Sequence, residues 1–375
     1  MSGAAPVGIV GAYGGVGRAA VRRLRAWGVG PLRVGGRRPE LARRLVEEEL
    51  DGEAEAAEVD VERGESLARF CAGCRLVVSC AGPSHRLLDR VCRAALAAGA
   101  SCVEPAGDEA VHERLRGGEW AGRTVVLSAG LVPGLSGLLP RCVAARWLER
   151  PARLTAYAGG RGRLTPAAAA DYLAGSLDRT GESLAAWRGG RRVPRALAPL
   201  REVELPFFPG RVTAQPFLSA ETERVARSLG LDEARWYSVL DGRHVPAALA
   251  RLQGARSGEA PDAAAAELEL AADLDLFGHQ PYQLIVLQME GESAGRPACR
   301  TLVLRARDGI ELTGAVAALA ACAVLRGEVP PGVHYMADLP APGAWWERLS
   351  ALPEVQALQV VDGAAADGAF EEGEL

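Results

Sequence analysis

Six short apolar runs, each followed by an amphipathic stretch, fill the first third of the chain, and this alternation constrains the fold more than any other feature. The runs are Val7-Gly-Ile-Val10, Leu32-Arg-Val-Gly35, residues 56–61, Arg75-Leu-Val-Val-Ser-Cys80, Ser101-Cys-Val-Glu104 and Thr124-Val-Val-Leu-Ser128. Between them the pattern predicts helices over residues 16–27, 39–50, through Leu67, 85–98 and 109–116, with Pro39 suited to a first helical turn. Strands separated by whole helices are not hairpin neighbours; they pair in parallel through right-handed crossovers. The expected class is α/β, with a doubly wound parallel sheet over residues 1–133.

After Gly134 the rhythm gives way to longer strand patterns over residues 152–158, 283–289 and 300–307, mixed with helices. A second, mixed α+β domain is expected over residues 134–311 and 328–361, with the small polar stretch 254–266 as a surface loop and residues 362–375 as an acidic, frayed tail. Thr313 reads as the cap of a nearly all-apolar helix that ends at Gly327 ahead of Pro330-Pro331. A helix apolar on most sides must be covered on most sides, so residues 314–327 are expected to pack back onto the first domain.

Composition removes several chemistries. All 43 basic residues are arginine, and the chain has neither lysine nor asparagine. Schiff-base lysines, lysine-bearing phosphate loops, Ser-Lys and Tyr-Lys dyads and N-glycosylation are therefore excluded. A net charge of -4 offers no general attraction to a phosphate backbone, so nucleic acid is not an expected partner. The eight cysteines lie in apolar segments without paired zinc-ribbon spacing, and are read as reduced, buried thiols with no metal site. Met1 to Pro6 lead straight into the first strand and the longest apolar run is too short for a bilayer, so a cytoplasmic protein without membrane contact is expected.

The first strand runs into Gly11-Ala-Tyr13-Gly14-Gly15-Val16-Gly17, which opens the first helix. Glycine is required where the chain turns tightly, where backbone meets a pyrophosphate and where helix meets strand, and the helix N-terminus presents free N–H groups to the anion. The spacing is G-x-x-G-x-x-G, and in a glycine-rich chain a chance cluster is the competing explanation. An NAD enzyme places an acidic residue at the end of the second strand; here the chain reads Gly35-Gly36-Arg37-Arg38, and a guanidinium fork matches the 2′-phosphate of NADPH. A solvated basic turn is the alternative. Asp60, after the third strand, is a candidate for the adenine edge or a plain surface carboxylate. The fourth, fifth and sixth strands end in Cys80-Ala81-Gly82-Pro83, Glu104-Pro-Ala-Gly107-Asp108 and Ala129-Gly130, at the edge where an open sheet binds its ligand.

On these residues the chain resembles the saccharopine dehydrogenase-like NAD(P) oxidoreductases. The likeness rests on the Gly11–Gly17 loop, Gly35-Gly-Arg-Arg38, Val77-Val-Ser-Cys-Ala-Gly-Pro83, Cys92 with Gly99 ahead of Val103-Glu104, Pro133-Gly134-Leu-Ser136, and Thr313-Gly314 followed by Gly327-Glu-Val-Pro-Pro-Gly-Val-His334. It is good over residues 5–140, fair near 300–336 and weak between. The resemblance implies a Rossmann domain, a second mixed domain that closes over the nicotinamide, a homodimer, and oxidation or reduction of C=N bonds. Residues 164–173 and 181–188 are similar to the branch acting as thiazolinyl imine reductases in siderophore biosynthesis.

Imine reduction needs a proton donor beside the hydride. His85 follows the Gly82-Pro83 turn, and an imidazole donates near neutral pH; capping the next helix is its structural alternative. Tyr172 lies on a helix started by Thr165 and Pro166 and reads as a phenol donor or, more readily, as packing, while Asp108 serves either to orient water or to cap a helix. Arg188, Arg191, Arg192 and Arg195 read as a mobile solvated loop, or as a dock for the acidic surface of a nonribosomal peptide synthetase carrier domain. The expected function is NADPH-dependent reduction of a carrier-bound thiazoline to a thiazolidine. Reduction of free amino-acid imines in the manner of saccharopine or opine enzymes, and a non-catalytic NADP sensor, are the alternatives.

Overall fold

A computed structural model describes residues 4–118, 120–177, 181–254 and 261–364. From the N-terminus the elements are β1 (Val7–Val10), α1 (Gly15–Ala26), β2 (Leu32–Gly36), α2 (Pro39–Glu49), β3 (Ala54–Glu58), α3 (Gly64–Cys71), β4 (Leu76–Ser79), α4 (Ser84–Leu87), α5 (Arg90–Ala97), β5 (Ser101–Val103), α6 (Glu109–Leu115) and β6 (Thr124–Leu127). There follow α7 (Leu135–Trp147), β7 (Arg150–Arg161), α8 (Pro166–Leu177), β8 (Gly181–Ser183), β9 (Ala186–Arg188), β10 (Arg191–Val193), β11 (Leu200–Glu204), β12 (Arg211–Ser219), α9 (Ala220–Leu229) and β13 (Glu233–Leu240). The chain ends with α10 (His244–Gly254), α11 (Pro261–Leu276), β14 (Tyr282–Ser293), β15 (Arg296–Ala306), α12 (Gly309–Leu325), β16 (Gly332–Tyr335), α13 (Pro342–Ser350) and β17 (Val355–Asp362).

Two compact units result, residues 1–135 with 310–340, and residues 136–309 with 341–375. The first is a Rossmann-type sheet of seven parallel strands in the order β16-β6-β5-β4-β1-β2-β3. Every residue of β1, β4, β5 and β6 is buried, as a sheet covered on both faces requires. The order reverses between β1 and β4, and at such a switch the loops after the two strands part to leave a crevice at their carboxyl ends. α12 rejoins this unit against α1: a Cβ on Gly314 would lie 2.5 Å from Val16 O and from Ala19 Cβ, so glycine allows the two helices to touch.

Several boundaries differ from the sequence reading. Residues 328–340 join the first unit rather than the second, because β16 pairs with β6 and the Thr124 hydroxyl donates to Pro330 O at 3.2 Å. The helix expected over 85–98 is broken at Leu88, whose φ is +51°, into α4 and α5. Thr313 lies inside α12, which begins four residues earlier, at Gly309. Residues 261–266, expected in a loop, begin α11; residues 255–260 and the tail from 365 lie outside the described residues.

The second unit is built on a mixed ten-stranded sheet with the spine β10-β9-β13-β7-β14-β15-β17, in which β13 and β7 run parallel and the remaining pairs antiparallel. Leu284, Ile285, Val286 and Leu287 are all buried in β14, so both faces of the sheet centre are covered. The arginine cluster is not a mobile loop: β9 and β10 form a hairpin through Gly189 (φ +55°) and Gly190 (φ +80°), Arg188 pairs with Glu233, and Arg192 pairs with Glu223. Among the described residues no helix is long and apolar enough to cross a membrane.

Candidate active site

The three glycines of the β1–α1 loop have three different jobs. Gly11 turns with φ +77°, its N–H donates to Gly35 O at 2.8 Å, and a Cβ there would lie 2.7 Å from Cys80 O, the first residue beyond β4. The loop thus passes close over the switch point, an approach open only to glycine. Gly17 faces inward: its Cβ would fall 2.2 Å from Gly11 O, so it joins helix to loop. Gly14 faces the other way, exposed, with Gly11 O at 3.3 Å as the sole neighbour of an added Cβ. It is the N-cap of α1, no side chain caps the helix, and its first turn holds no acidic residue. The open space beside Gly14 and Gly15, facing an uncapped helix N-terminus, fits a pyrophosphate.

The basic turn continues this cradle along β2. Gly36 ends the strand where an acidic residue would favour NAD, and Arg37 follows, exposed and without a hydrogen bond or ion pair among the described residues. Arg38 donates its backbone N–H to the Tyr13 hydroxyl at 3.0 Å, and its guanidinium carbon sits 5.8 Å from the centre of the Tyr13 ring. Asp60 is already occupied: Oδ1 accepts the Glu62 N–H at 3.0 Å in the turn before α3. The donor set fits the 2′-phosphate of NADPH, with Arg37 and Arg38 to hold it and Gly14, Gly15 and Val16 to hold the pyrophosphate.

At the other end of the crevice, Cys80 donates its N–H to Val10 O at 2.9 Å and leads through Ala81, Gly82 and Pro83 to α4. Burial pushes the Cys80 thiol up to about 12, and nearby Glu104 adds to the shift, so Cys80 stays protonated and is no nucleophile. Glu104, at the end of β5, is 3% exposed and accepts from the Cys92 thiol at 3.4 Å. His85 is exposed on α4, two residues beyond Pro83. Asp108 caps α6, its carboxylate accepting the Ala110 N–H at 3.1 Å.

Tyr172 belongs to the second unit, on α8, where it packs with Leu164 and Leu173 against the apolar cluster of α10 and α11. Burial raises its phenol above the usual range. Sequence reasoning missed a polar group in this unit: Asp241 accepts from Arg161 at 2.7 Å and from the Tyr282 hydroxyl at 2.6 Å, with the Asp241 side chain 4% exposed. Three strands supply these residues from distant parts of the chain, so no local pattern could have found them.

Residues 7–126 match the model of the family described as saccharopine dehydrogenase NADP binding domain. Among solved structures, the apo saccharopine dehydrogenase (L-Glu forming) of Saccharomyces cerevisiae is similar over 96% of this chain and 100% of its own, with a TM-score of 0.69 at 15% identity. The DAP dehydrogenase of C. glutamicum, solved with DAP, is similar over 90% of this chain and 94% of its own, with a TM-score of 0.47 at 14% identity. Comparison of the sequence with curated proteins gives no match. The domain match supports NADPH as the cofactor.

Proposed function

We propose that this saccharopine dehydrogenase-like, NADP-binding oxidoreductase reduces a carbon–nitrogen double bond, in its most concrete form the thiazoline of a carrier-tethered substrate to a thiazolidine. The observations that carry the reading are the likeness in fold to a saccharopine dehydrogenase over its whole length, second domain included, and a glycine loop and basic turn suited to the phosphates of NADPH. When bound, NADPH supplies the hydride. The chain's own part is to hold the dinucleotide with Gly14, Gly15, Arg37 and Arg38, and to bring backbone close at Ala81-Gly82-Pro83 so that bulk water is displaced there. Among the three candidate donors, His85 is exposed on α4 just after the Gly82-Pro83 corner at the carboxyl end of β4, which favours it for the proton delivered to nitrogen. The carrier surface receives no support from the β9–β10 arginines, two of which have acidic partners.

The test is NADPH consumption with a thiazolinyl thioester against a panel of free amino-acid imines. Faster turnover of the thioester is expected; turnover of the free imines alone would move the substrate class to the saccharopine and opine kind. Tight NADPH binding without consumption of either would leave a sensor. In single turnover, His85→Phe should lose about 10²- to 10⁴-fold in rate with NADPH affinity held within a few-fold. A comparable loss in Tyr172→Phe and none in His85→Phe would transfer the donor role to the phenol.

A further inference from the structure

We propose that Tyr13 is the positioning residue that gives this site its preference for a 2′-phosphate, by bracing the Arg37–Arg38 turn from the glycine loop. The inference rests on NADPH as cofactor and not on the identity of the reduced substrate.

Tyr13 reaches from the loop after β1 to the turn after β2. Its hydroxyl accepts the Arg38 N–H at 3.0 Å, and its ring lies under the Arg38 guanidinium at 5.8 Å. Room for the phenol exists because residue 36 is glycine: a Cβ there would lie 2.5 Å from the Tyr13 hydroxyl and 2.6 Å from the ring. The same two segments are tied from the other side, where the N–H groups of Gly11 and Ala12 both donate to Gly35 O, at 2.8 and 3.1 Å. The pyrophosphate loop and the basic turn therefore form one braced unit.

This bracing divides the work of the two arginines. Two adjacent guanidinium groups in an exposed turn repel each other and carry much rotamer freedom, both of which oppose a phosphate complex. Seating Arg38 on the aromatic face restricts one of them before the ligand arrives, while Arg37 stays exposed and unpaired to meet the phosphate. Tyr13 touches the arginine rather than the reacting atoms, so its loss should appear in selectivity and not in general nucleotide affinity.

The experiment is titration calorimetry of the full chain with adenosine 2′,5′-bisphosphate and with AMP, neither of which contains nicotinamide. For the wild type, the bisphosphate should bind more tightly; equal affinities would remove the 2′-phosphate site itself. Tyr13→Phe, which deletes the acceptor and keeps the ring, should reduce the affinity ratio by about three- to tenfold, with AMP binding unchanged within twofold. Tyr13→Leu should reduce it further, since the cation–π contact is also lost. Circular dichroism and thermal melting monitor folding, and if the leucine variant fails to fold, Tyr13→Phe decides alone. A selective wild type whose Phe variant keeps the full ratio, or weakens toward both ligands equally, overturns the proposal.

Discussion

At the carboxyl end of the first unit's sheet Arg37 stands exposed without an acidic partner among the described residues, whereas at the end of β7 in the second unit the half-buried Arg161 is bonded to the buried Asp241, with Tyr282 donating to the same carboxylate. The chain uses one cation type for opposite purposes. A guanidinium left unpaired beside an uncapped helix N-terminus keeps its attraction for an arriving anion. A guanidinium already bonded to a buried carboxylate has that charge compensated, and here it ties the end of β7 to the residue that follows β13. The second unit repeats this economy at Arg188 with Glu233, and Arg235 with the same carboxylate, whose pKa is lowered by its hydrogen bond to Arg235 first and by that to Arg188.

The largest effect that tests this contrast is on stability. Asp241→Ala leaves the half-buried Arg161 charge without its partner and the buried Tyr282 hydroxyl without its acceptor, and should cost about 2–4 kcal/mol in urea denaturation. A loss under about 1 kcal/mol would mean that the group behaves as a surface pair and that the contrast fails.

In the first unit the corresponding change should be nearly silent for stability and large for binding. Arg37→Ala with Arg38→Ala should raise the NADPH dissociation constant about ten- to hundredfold, equivalent to about 1.4–2.7 kcal/mol, with NADH affinity and the urea midpoint unchanged. Equal weakening toward both cofactors in calorimetry would place the 2′-phosphate elsewhere.

The same contrast explains what could be read from the sequence. Gly11, Gly14, Gly17 and the Gly36-Arg37 turn are local in the chain, and the close approaches at Gly11, Gly17 and Gly36 follow from that spacing, so the loop and turn are legible from sequence. Arg161 is 80 residues from Asp241, and Tyr282 is 41 from it; only the pairing of β13, β7 and β14 brings them together. β16 was equally hidden, since membership in a sheet depends on a partner strand and not on its own four residues. Other misses had a local signal. Pro261 followed by a run of alanines is a sound helix start, outweighed in the reading by small, polar composition around it. Asp60 and Asp108 are ambiguous by nature, because a carboxylate after a strand suits a turn or cap as well as a ligand, and in the structure each accepts a nearby backbone N–H.

The smallest predicted effect lies in the pH dependence of the buried group. Burial first, and the hydrogen bond and charge of Asp241 next, hold the Tyr282 phenol above its usual range, with Arg161 opposing. Below the ordinary phenol pKa of about 10, folded and unfolded chains both keep this proton, and the group contributes its full stability. Above it the unfolded chain releases the proton while the folded chain retains it, so stability falls as pH rises, by at most ~1.4 kcal/mol per pH unit for one proton. Tyr282→Phe removes that proton from both states. At pH 8 the variant should be less stable than wild type by about 1 kcal/mol, for the lost hydrogen bond. Between about pH 10 and 11 the gap should narrow, since wild type alone carries this added loss. Half-buried Tyr157 and Tyr172, buried Tyr237 and the thiols Cys71, Cys80 and Cys142, the last three pushed up to about 12, shift in the same direction and give both proteins a common decline. The difference between the two urea curves is therefore the quantity to measure. A gap that stays constant from pH 8 to 11 would show that Tyr282 releases its proton equally from the folded and unfolded chains, and would overturn this prediction.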